Sequence, residues 1–349
     1  MSLKPTDSST PAPDDWNAFV DQQPRAHILQ HSAWGDLKAA YGWGVERVAL
    51  TRDGALVAGA QILFRRLPLR LGTLAYLAMG PYCNDDADLP ALWRAIDARA
   101  RSRRAALLKW EPGIYAAGER PPDFAALGFH PSPQTIQPPR TIVIDIRGND
   151  DAILARMNQG TRRKIRQSQK HTIRYYHGDR AAVDTFNQIM QSTGARNAFG
   201  VHEPAYYARA YDLFVPAGKA ALIMAEHEGD PLAGIMAFAQ GQRAWYFYGA
   251  SSDVKRNLMA TYGVQWAAIE WARSHGCTEY DLWGIPDEDE AMLEAQFESR
   301  SDGLWGVYGF KRGWGGTVVR SAGAWDKVYN PLIYKAYQMA LSARQGAAS

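Results

Sequence analysis

Trp93-x-x-Ile96-Asp97, followed by Trp110-Glu111-Pro112, returns in the second half of the chain as Trp266-x-x-Ile269-Glu270 followed by Trp283-Gly284-Ile285-Pro286. In both copies the two tryptophans stand 17 apart. A Trp and an Ile three residues apart share one face of a helix, and the apolar segment after them reads as a strand. Working upstream, Asp53-Gly54-x-Leu56-x-x-Gly59 echoes Gly229-x-x-Leu232-x-Gly234, each a hairpin turn entering an apolar strand. The strands that follow end in glycine, Ala75 to Gly80 in one half and Trp245 to Gly249 in the other. Each half thus reads hairpin, strand, helix, strand, preceded by helices. Three matches in register point to an α/β protein of two domains with one fold, facing each other across a cleft.

The bulk numbers agree with two domains. A chain of 349 residues exceeds the usual size of one core, and 46% hydrophobic with 21% charged residues is an ordinary globular composition. A net charge of +3 does not by itself require a nucleic-acid partner, so the local distribution of charge matters more. Cys83 and Cys277 are far apart and read as buried thiols. The expected division is a disordered Ser-, Thr- and Pro-rich leader at residues 1–15, a first domain of 16–149 plus 318–349, and a second of 150–317. The boundary falls near Arg147–Asp150, after a strand from Arg140 to Ile146. With no secretory signal and no apolar run of the ~20 residues a bilayer requires, the expectation is a cytoplasmic protein. Contact with the inner face of the plasma membrane stays open.

The stretch Trp245 to Gly316 carries the candidate chemistry. Lys311 stands among Gly309, Gly313, Gly315 and Gly316 and next to Phe310, which reads as a glycine-rich turn presenting one cation to an anionic or carbonyl-bearing ligand. Negative charge that develops on a carbonyl oxygen is stabilised by a preorganised cation. Asp281, near the end of a strand, could accept or orient a proton, or pair with an arginine. Tyr246 and Tyr248 alternate on a strand and should share a face, opposite Trp245 and Phe247. Between Arg156 and Arg174 lie seven Lys or Arg and no acid. Arg162, Arg163, Lys164 and Arg166 therefore mark an exposed basic helix suited to nucleic-acid phosphates or to an anionic membrane surface. The acidic run Asp287–Glu290 reads as a solvated loop, and the scattered histidines form no HxH or HxxxH pair, so no metal site is expected.

Taken together, Tyr246-x-Tyr248-Gly249-Ala250-Ser251, Asn257-x-Met259-Ala260, Gln265-Trp266, Tyr280-Asp281-x-Trp283-Gly284-Ile285-Pro286 and Phe310-Lys311-x-Gly313-x-Gly315-Gly316 resemble the FemABX peptidyltransferases. Gln30-His31-Ser32-x-Trp34 with Lys38, Arg162-x-x-Ile165-Arg166 and Thr193-x-x-Arg196-x-x-Phe199 extend the likeness over nearly the whole chain after residue 15. The resemblance implies two tandem GNAT-like (acyl-CoA N-acyltransferase-like) domains, here without the long helical-hairpin insertion of some members. It implies transfer of an amino acid from aminoacyl-tRNA to an amine of the peptidoglycan stem peptide, forming the interpeptide bridge. The acceptor would be UDP-MurNAc-pentapeptide or its lipid-linked form. Because the donor is an activated ester, no cofactor and no metal are called for. On this resemblance Lys311, Phe310 and Asp281 are catalytic candidates. Lys38 and Arg196 would grip the acceptor diphosphate, and Tyr246, Tyr248 and Tyr262 would line the acceptor channel. Two other readings compete: an acyl-CoA-dependent N-acyltransferase on the same fold, and a non-catalytic tRNA- or precursor-binding module. The first needs a glycine-rich phosphate turn where Lys255-Arg-Asn-Leu-Met-Ala260 stands. The intact Phe310-Lys311 turn speaks against the second.

Overall fold

The computed structural model describes residues 6–7, 10–115, 121–197 and 200–346. Contacts divide the chain into two units, Met1–Gln137 with Ser321–Ser349, and Pro138–Arg320.

In the first unit the chain forms β1 (Thr6–Asp7), α1 (Pro13–Asp21), α2 (Ser32–Ala39), β2 (Trp43–Arg52) and β3 (Ala55–Arg66). The turn joining β2 to β3 has positive φ at both Asp53 (52°) and Gly54 (80°), as a two-residue hairpin requires. Next come β4 (Thr73–Ala78), β5 (Tyr82–Cys83), α3 (Leu89–Ser102), β6 (Ala105–Glu111) and β7 (His130–Pro131). Helix α3 crosses over so that β4 and β6 run parallel, whereas the neighbouring pairs are antiparallel. Its buried face of Leu92, Trp93, Ile96 and Ala100 packs on the sheet, where the rings of Trp93 and Trp110 meet edge-on at 4.6 Å.

The second unit repeats this plan. After β8 (Arg140–Asp145), α4 (Asp150–Arg156), α5 (Gln159–Lys170), β9 (Arg174–His177), α6 (Ala182–Asn197) and α7 (Pro204–Phe214), the hairpin β10 (Ala220–His227) and β11 (Asp230–Gln240) leads to β12 (Arg243–Ser251). Helix α8 (Ala260–Ser274) then brings β13 (Glu279–Asp281) parallel to β12. Helices α9 (Glu290–Gln296) and α10 (Trp305–Lys311) precede β14 (Thr317–Arg320). Ala268, Ile269 and Ala272 of α8 are fully buried among Ile142, Ile144, Ile235 and Tyr280. The chain ends with β15 (Trp325–Val328) and α11 (Pro331–Gly346), which belong to the first unit. The sheet orders are β1-β2-β3-β4-β6-β15-β7, with β5 beside β3, and β14-β8-β13-β12-β11-β10-β9.

These orders correct the expected boundaries. Strand β8 belongs to the second unit, because it pairs with β13 (Ile144 opposite Tyr280) and with β14 (Val143 opposite Thr317). The division therefore falls between Gln137 and Pro138, and the return to the first unit starts at Ser321 rather than at residue 318. Each parallel pair carries an antiparallel outer neighbour from a distant part of the chain, β15 beside β6 and β8 beside β13. The expected disordered leader is also shortened. Thr6 and Asp7 pair with Thr51 and Leu50, and α1 starts at Pro13 with Asp14 and Asp15 in its first turn. The rest of that leader at 1–5 and 8–9 lies outside the described residues.

A buried ion pair fastens the returning strand. Lys109 of β6 donates to Asp326 of β15 at 2.9 Å, and both side chains are fully buried. Ser132 and Tyr334 donate to the other carboxylate oxygen, at 2.8 and 2.9 Å. Removing one member of such a pair strands a buried charge. Asp326→Ala should therefore cost about 3–5 kcal/mol of unfolding free energy, measured by urea titration.

Candidate functional site

The two units differ at their parallel strand pairs. In the first, β4 and β6 stay paired to the end of β4, with Ala78 opposite Glu111. In the second, pairing of β12 with β13 stops at Trp245 opposite Asp281, while β12 continues to Ser251. The segment after β13 follows its other neighbour instead, since the Leu282 and Ile285 amides donate to Ile142 and Arg140 carbonyls at 2.9 and 3.0 Å. A gap opens beyond Trp245, and the conspicuous residues of the sequence gather there.

Lys311 fills part of this gap. It is the last residue of α10, a helix where a glycine-rich turn was expected, and it is 6% exposed. Trp305, Tyr308 and Lys311, three apart, make the buried face of that helix, and this packing outweighs the low helix propensity of Gly306 and Gly309. The Lys311 ammonium donates to the Gly284 carbonyl at 2.7 Å and to the Trp283 carbonyl at 3.2 Å. Trp283 has φ of 58°, an unusual conformation for a tryptophan, and its amide donates to Asp281 Oδ1 at 2.8 Å. The Thr141 hydroxyl donates to the same oxygen. Asp281 is fully buried and so holds the turn whose carbonyls hold Lys311. Burial lowers the Lys311 pKa to about 7, opposed by the negative charge of Asp281.

Beside the lysine lies a pocket of about 570 Å³ lined by Tyr246, Gly249, Arg196, Tyr262, Gln265 and Phe310 among others. Tyr246 connects the two features, since its ring lies 5.7 Å from the Lys311 ammonium and its side chain lines the pocket. Burial pushes its phenol up to about 12. Gly249 is required here, because a β-carbon would stand 2.0 Å from the Tyr246 hydroxyl. Tyr262, Phe310 and Trp314 form an aromatic wall with ring centroids 5.1–5.9 Å apart. Lys164 of α5 donates to the Tyr262 hydroxyl at 3.0 Å. Arg196 bonds the Ser251 carbonyl, the Ser251 hydroxyl and Asp253, and so fixes the loop after β12. The first turn of α8 borders the pocket without a side-chain cap, and its Tyr262 amide donates to the Met259 carbonyl at 2.9 Å.

The pairing of Tyr246 with Tyr248 does not hold. Tyr246 lies opposite Ala237 and Tyr248 opposite Met236, with Phe247 as the extra residue of a β-bulge. Successive partners face opposite sides, so Tyr248 points away from the pocket. There its hydroxyl lies 3.1 Å from that of Tyr206, and His202 stacks on Tyr206 at 3.8 Å. Lys38 belongs to the first unit, where its ammonium lies 4.8 Å from the Trp34 ring centroid and burial lowers its pKa to about 8. Arg162 donates to the Met157 carbonyl, while Arg163 and Arg166 are exposed along an open groove with Lys170. Phe199 lies outside the described residues. Thr141 carries no local signal of its part in the site. Thr141 is 140 positions from its partner Asp281.

Two GNAT-like units in tandem, one with an opened parallel pair around a buried lysine, define the class as a tandem GNAT-like transferase. The FemAB family matches residues 12–120, 124–230 and 224–342, and the chain belongs to that family. It is 26% identical to a "Lipid II:glycine glycyltransferase" of Staphylococcus aureus strain MRSA252, over 91% of this chain and 92% of that protein. The crystal structure of FemX superposes with a TM-score of 0.85 at 24% identity, covering 95% of this chain and 99% of that one. A tandem GNAT protein from the clavulanic acid biosynthesis pathway shares the fold at a TM-score of 0.51 and 14% identity, covering 91% and 94%.

The Lys311 shift has a measurable consequence. Its folded-state pKa of about 7 lies below the ordinary 10.5, so between these values the unfolded chain binds more protons than the folded one. This group therefore makes stability rise with pH from about 7 towards 10.5, and imposes its full penalty below that window. Urea unfolding at pH 6.5 to 9.5 should show that rise in the natural protein, and Lys311→Met should flatten it.

Proposed function

We propose that this protein is an aminoacyltransferase that adds an amino acid to an amine of the peptidoglycan stem peptide in forming the interpeptide bridge, with aminoacyl-tRNA as donor. The observation that carries the reading is the buried Lys311 ammonium beside a pocket, in a member of the FemAB family. The lipid II glycyltransferase relative supports a lipid-linked muropeptide as acceptor. The soluble nucleotide-linked form is the alternative.

In the reaction the acceptor amine attacks the ester carbonyl of the charged tRNA. A C–N bond forms, the C–O bond to the terminal ribose breaks, and one amine proton ends on the departing hydroxyl or on solvent. Lys311 stabilises the oxyanion from a site already shaped by the Trp283 and Gly284 carbonyls. Asp281 acts through the turn, positioning those carbonyls and favouring the charged lysine. Phe310, Tyr246 and Tyr262 shape the pocket, and Arg196 holds its rim. Lys38 contributes to acceptor binding from its own unit. The exposed arginines of α5, Arg163 and Arg166, contact tRNA phosphates, with Arg162 and Lys164 closer to the protein body. No metal ion and no cofactor takes part.

The experiment mixes the protein with a full set of charged tRNAs and either lipid-linked or UDP-linked muropeptide, and follows acceptor mass. The expected result is an RNase-sensitive increase on the lipid-linked acceptor. If neither acceptor gains mass while acetyl-CoA acylates an amine, the donor assignment fails. Lys311→Met should lower kcat by about 10²–10³ while the protein remains folded. Arg163→Glu with Arg166→Glu should weaken tRNA binding and flatten its dependence on salt, leaving acceptor KM unchanged.

A further inference from the structure

Gln265 of α8 is fully buried, yet it also lines the pocket beside Lys311. Neither its amide oxygen nor its amide nitrogen has a hydrogen-bond partner among the described residues. The hydroxyl of Tyr280, fully buried in β13, has none either. The Gln265 amide adjoins that hydroxyl and eases the rise that burial imposes on the phenol, but the two form no well-aligned bond. A buried amide left unpaired weakens a fold, whereas an apolar side chain of similar shape would not. A partner that the free protein lacks accounts for it. We propose that Gln265, backed by Tyr280, binds the α-amino group of the donor's aminoacyl residue. This rests on the transfer reading above and assigns the part of the donor that the reading leaves unheld.

Position supports this assignment. Tyr280 pairs with Ala244 one step before the β12–β13 ladder opens. Tyr246 links the two ends of the site: its ring lies 5.7 Å from the Lys311 ammonium, and its phenol adds to the upward shift of Tyr280. Lys311 and the Gln265–Tyr280 pair therefore both neighbour one side chain. In an aminoacyl ester the α-nitrogen is two bonds from the carbonyl carbon. A donor whose carbonyl oxygen meets Lys311 carries its α-amine into the same small space.

The chemistry of the lining selects the form of the amine. Among the described residues no aspartate or glutamate lines the pocket, and Asp281 is engaged by Thr141 and Trp283. A charged α-ammonium would meet the Lys311 charge with no carboxylate to offset it. The uncharged amine has two N–H donors and one lone pair. The Gln265 oxygen accepts from an N–H, and the Tyr280 hydroxyl donates to the lone pair, so two unpaired groups are satisfied by one ligand atom. The Gln265 nitrogen is left to donate to an oxygen of the donor. Both amide atoms are closed to solvent in the free protein, so the amine reaches them only as the pocket side chains shift.

The test is calorimetric titration of the full chain with 3′-aminoacylamido-3′-deoxyadenosines, which carry a glycyl, alanyl, seryl or lysyl group on a stable amide. Each is compared with the acyl compound that lacks only the α-amino group. The natural protein should bind at least one amino compound about tenfold or more tightly than its counterpart. Gln265→Leu should bring the two within about twofold. It should also unfold at the same urea concentration or a higher one, because it removes an unpaired buried amide. Gln265→Met repeats the comparison if leucine disturbs the packing. The proposal is overturned if the natural protein binds both series equally, as it would if a trapped water served Gln265 and Tyr280. It is also overturned if the variants keep the preference, or if both unfold at lower urea, which would make Gln265 a structural residue. No acceptor or turnover enters this experiment. If no compound binds, this proposal alone falls, and the transfer reading is still judged by acceptor mass.

Discussion

The constraint on which the site depends is the early end of one parallel ladder. Once β12 and β13 cease to pair after Trp245 and Asp281, backbone groups on both sides need other partners. The post-β13 segment keeps its amides on β8, and two of its carbonyls take the Lys311 ammonium. The lysine thus serves the fold, and in the proposed reaction the chemistry as well. It satisfies carbonyls released from a sheet, and that duty holds a cation in a low-dielectric position where, in the proposed reaction, it would stabilise developing charge far more than it would in water. In the first unit the equivalent ladder stays closed to Ala78 and Glu111, and the Glu111 carboxylate accepts from Gln137 and Tyr76. One architecture, duplicated, provides an open copy and a closed one.

Burial of the lysine sets opposing demands. Desolvation lowers its pKa, while the two carbonyls and the charge of Asp281 favour the protonated form. Asp281 is sealed from solvent by its bonds to Thr141 and Trp283, so its influence reaches the pocket through Lys311. This explains why a carboxylate near a strand end need not be a proton acceptor. Fully buried and absent from the pocket lining, it fits a positioning role, and the unusual backbone at Trp283 is what that positioning maintains.

Much of the architecture was legible because it is written locally. Asp53-Gly54 and the Glu228-Gly229 step dictate hairpins through their turn conformations, and all of them have positive φ. Trp93 and Trp266 mark the buried faces of the two crossover helices. The non-local choice made by β8 was not legible. That β8 joins the second sheet depends on which open edge it meets, and nothing within Arg140–Asp145 encodes that edge. The bulge at Phe247 reverses the face of Tyr248 without any glycine or proline to announce it. The glycines around Lys311 suggested a turn, but the buried Trp305, Tyr308 and Lys311 impose a helix.

The same contrast explains why the sequence marked residues that the fold gathers together more readily than the directions of their side chains. Lys311, Phe310, Tyr246, Tyr262 and Arg196 all belong to the opened copy, and the pocket or its lysine touches each of them. Lys311, Phe310 and Tyr246 stand out by residue type along the chain, whereas Arg196 and Tyr262 were marked by the family resemblance. Roles depend on direction: Arg196 turns to Ser251 and Asp253, Lys164 to Tyr262, Asp281 inward to Thr141. Each of these contacts spans at least 55 positions in sequence. Tertiary packing decides them, and the duplication makes the decision visible, because the closed copy shows what the strands do when no lysine stands between them.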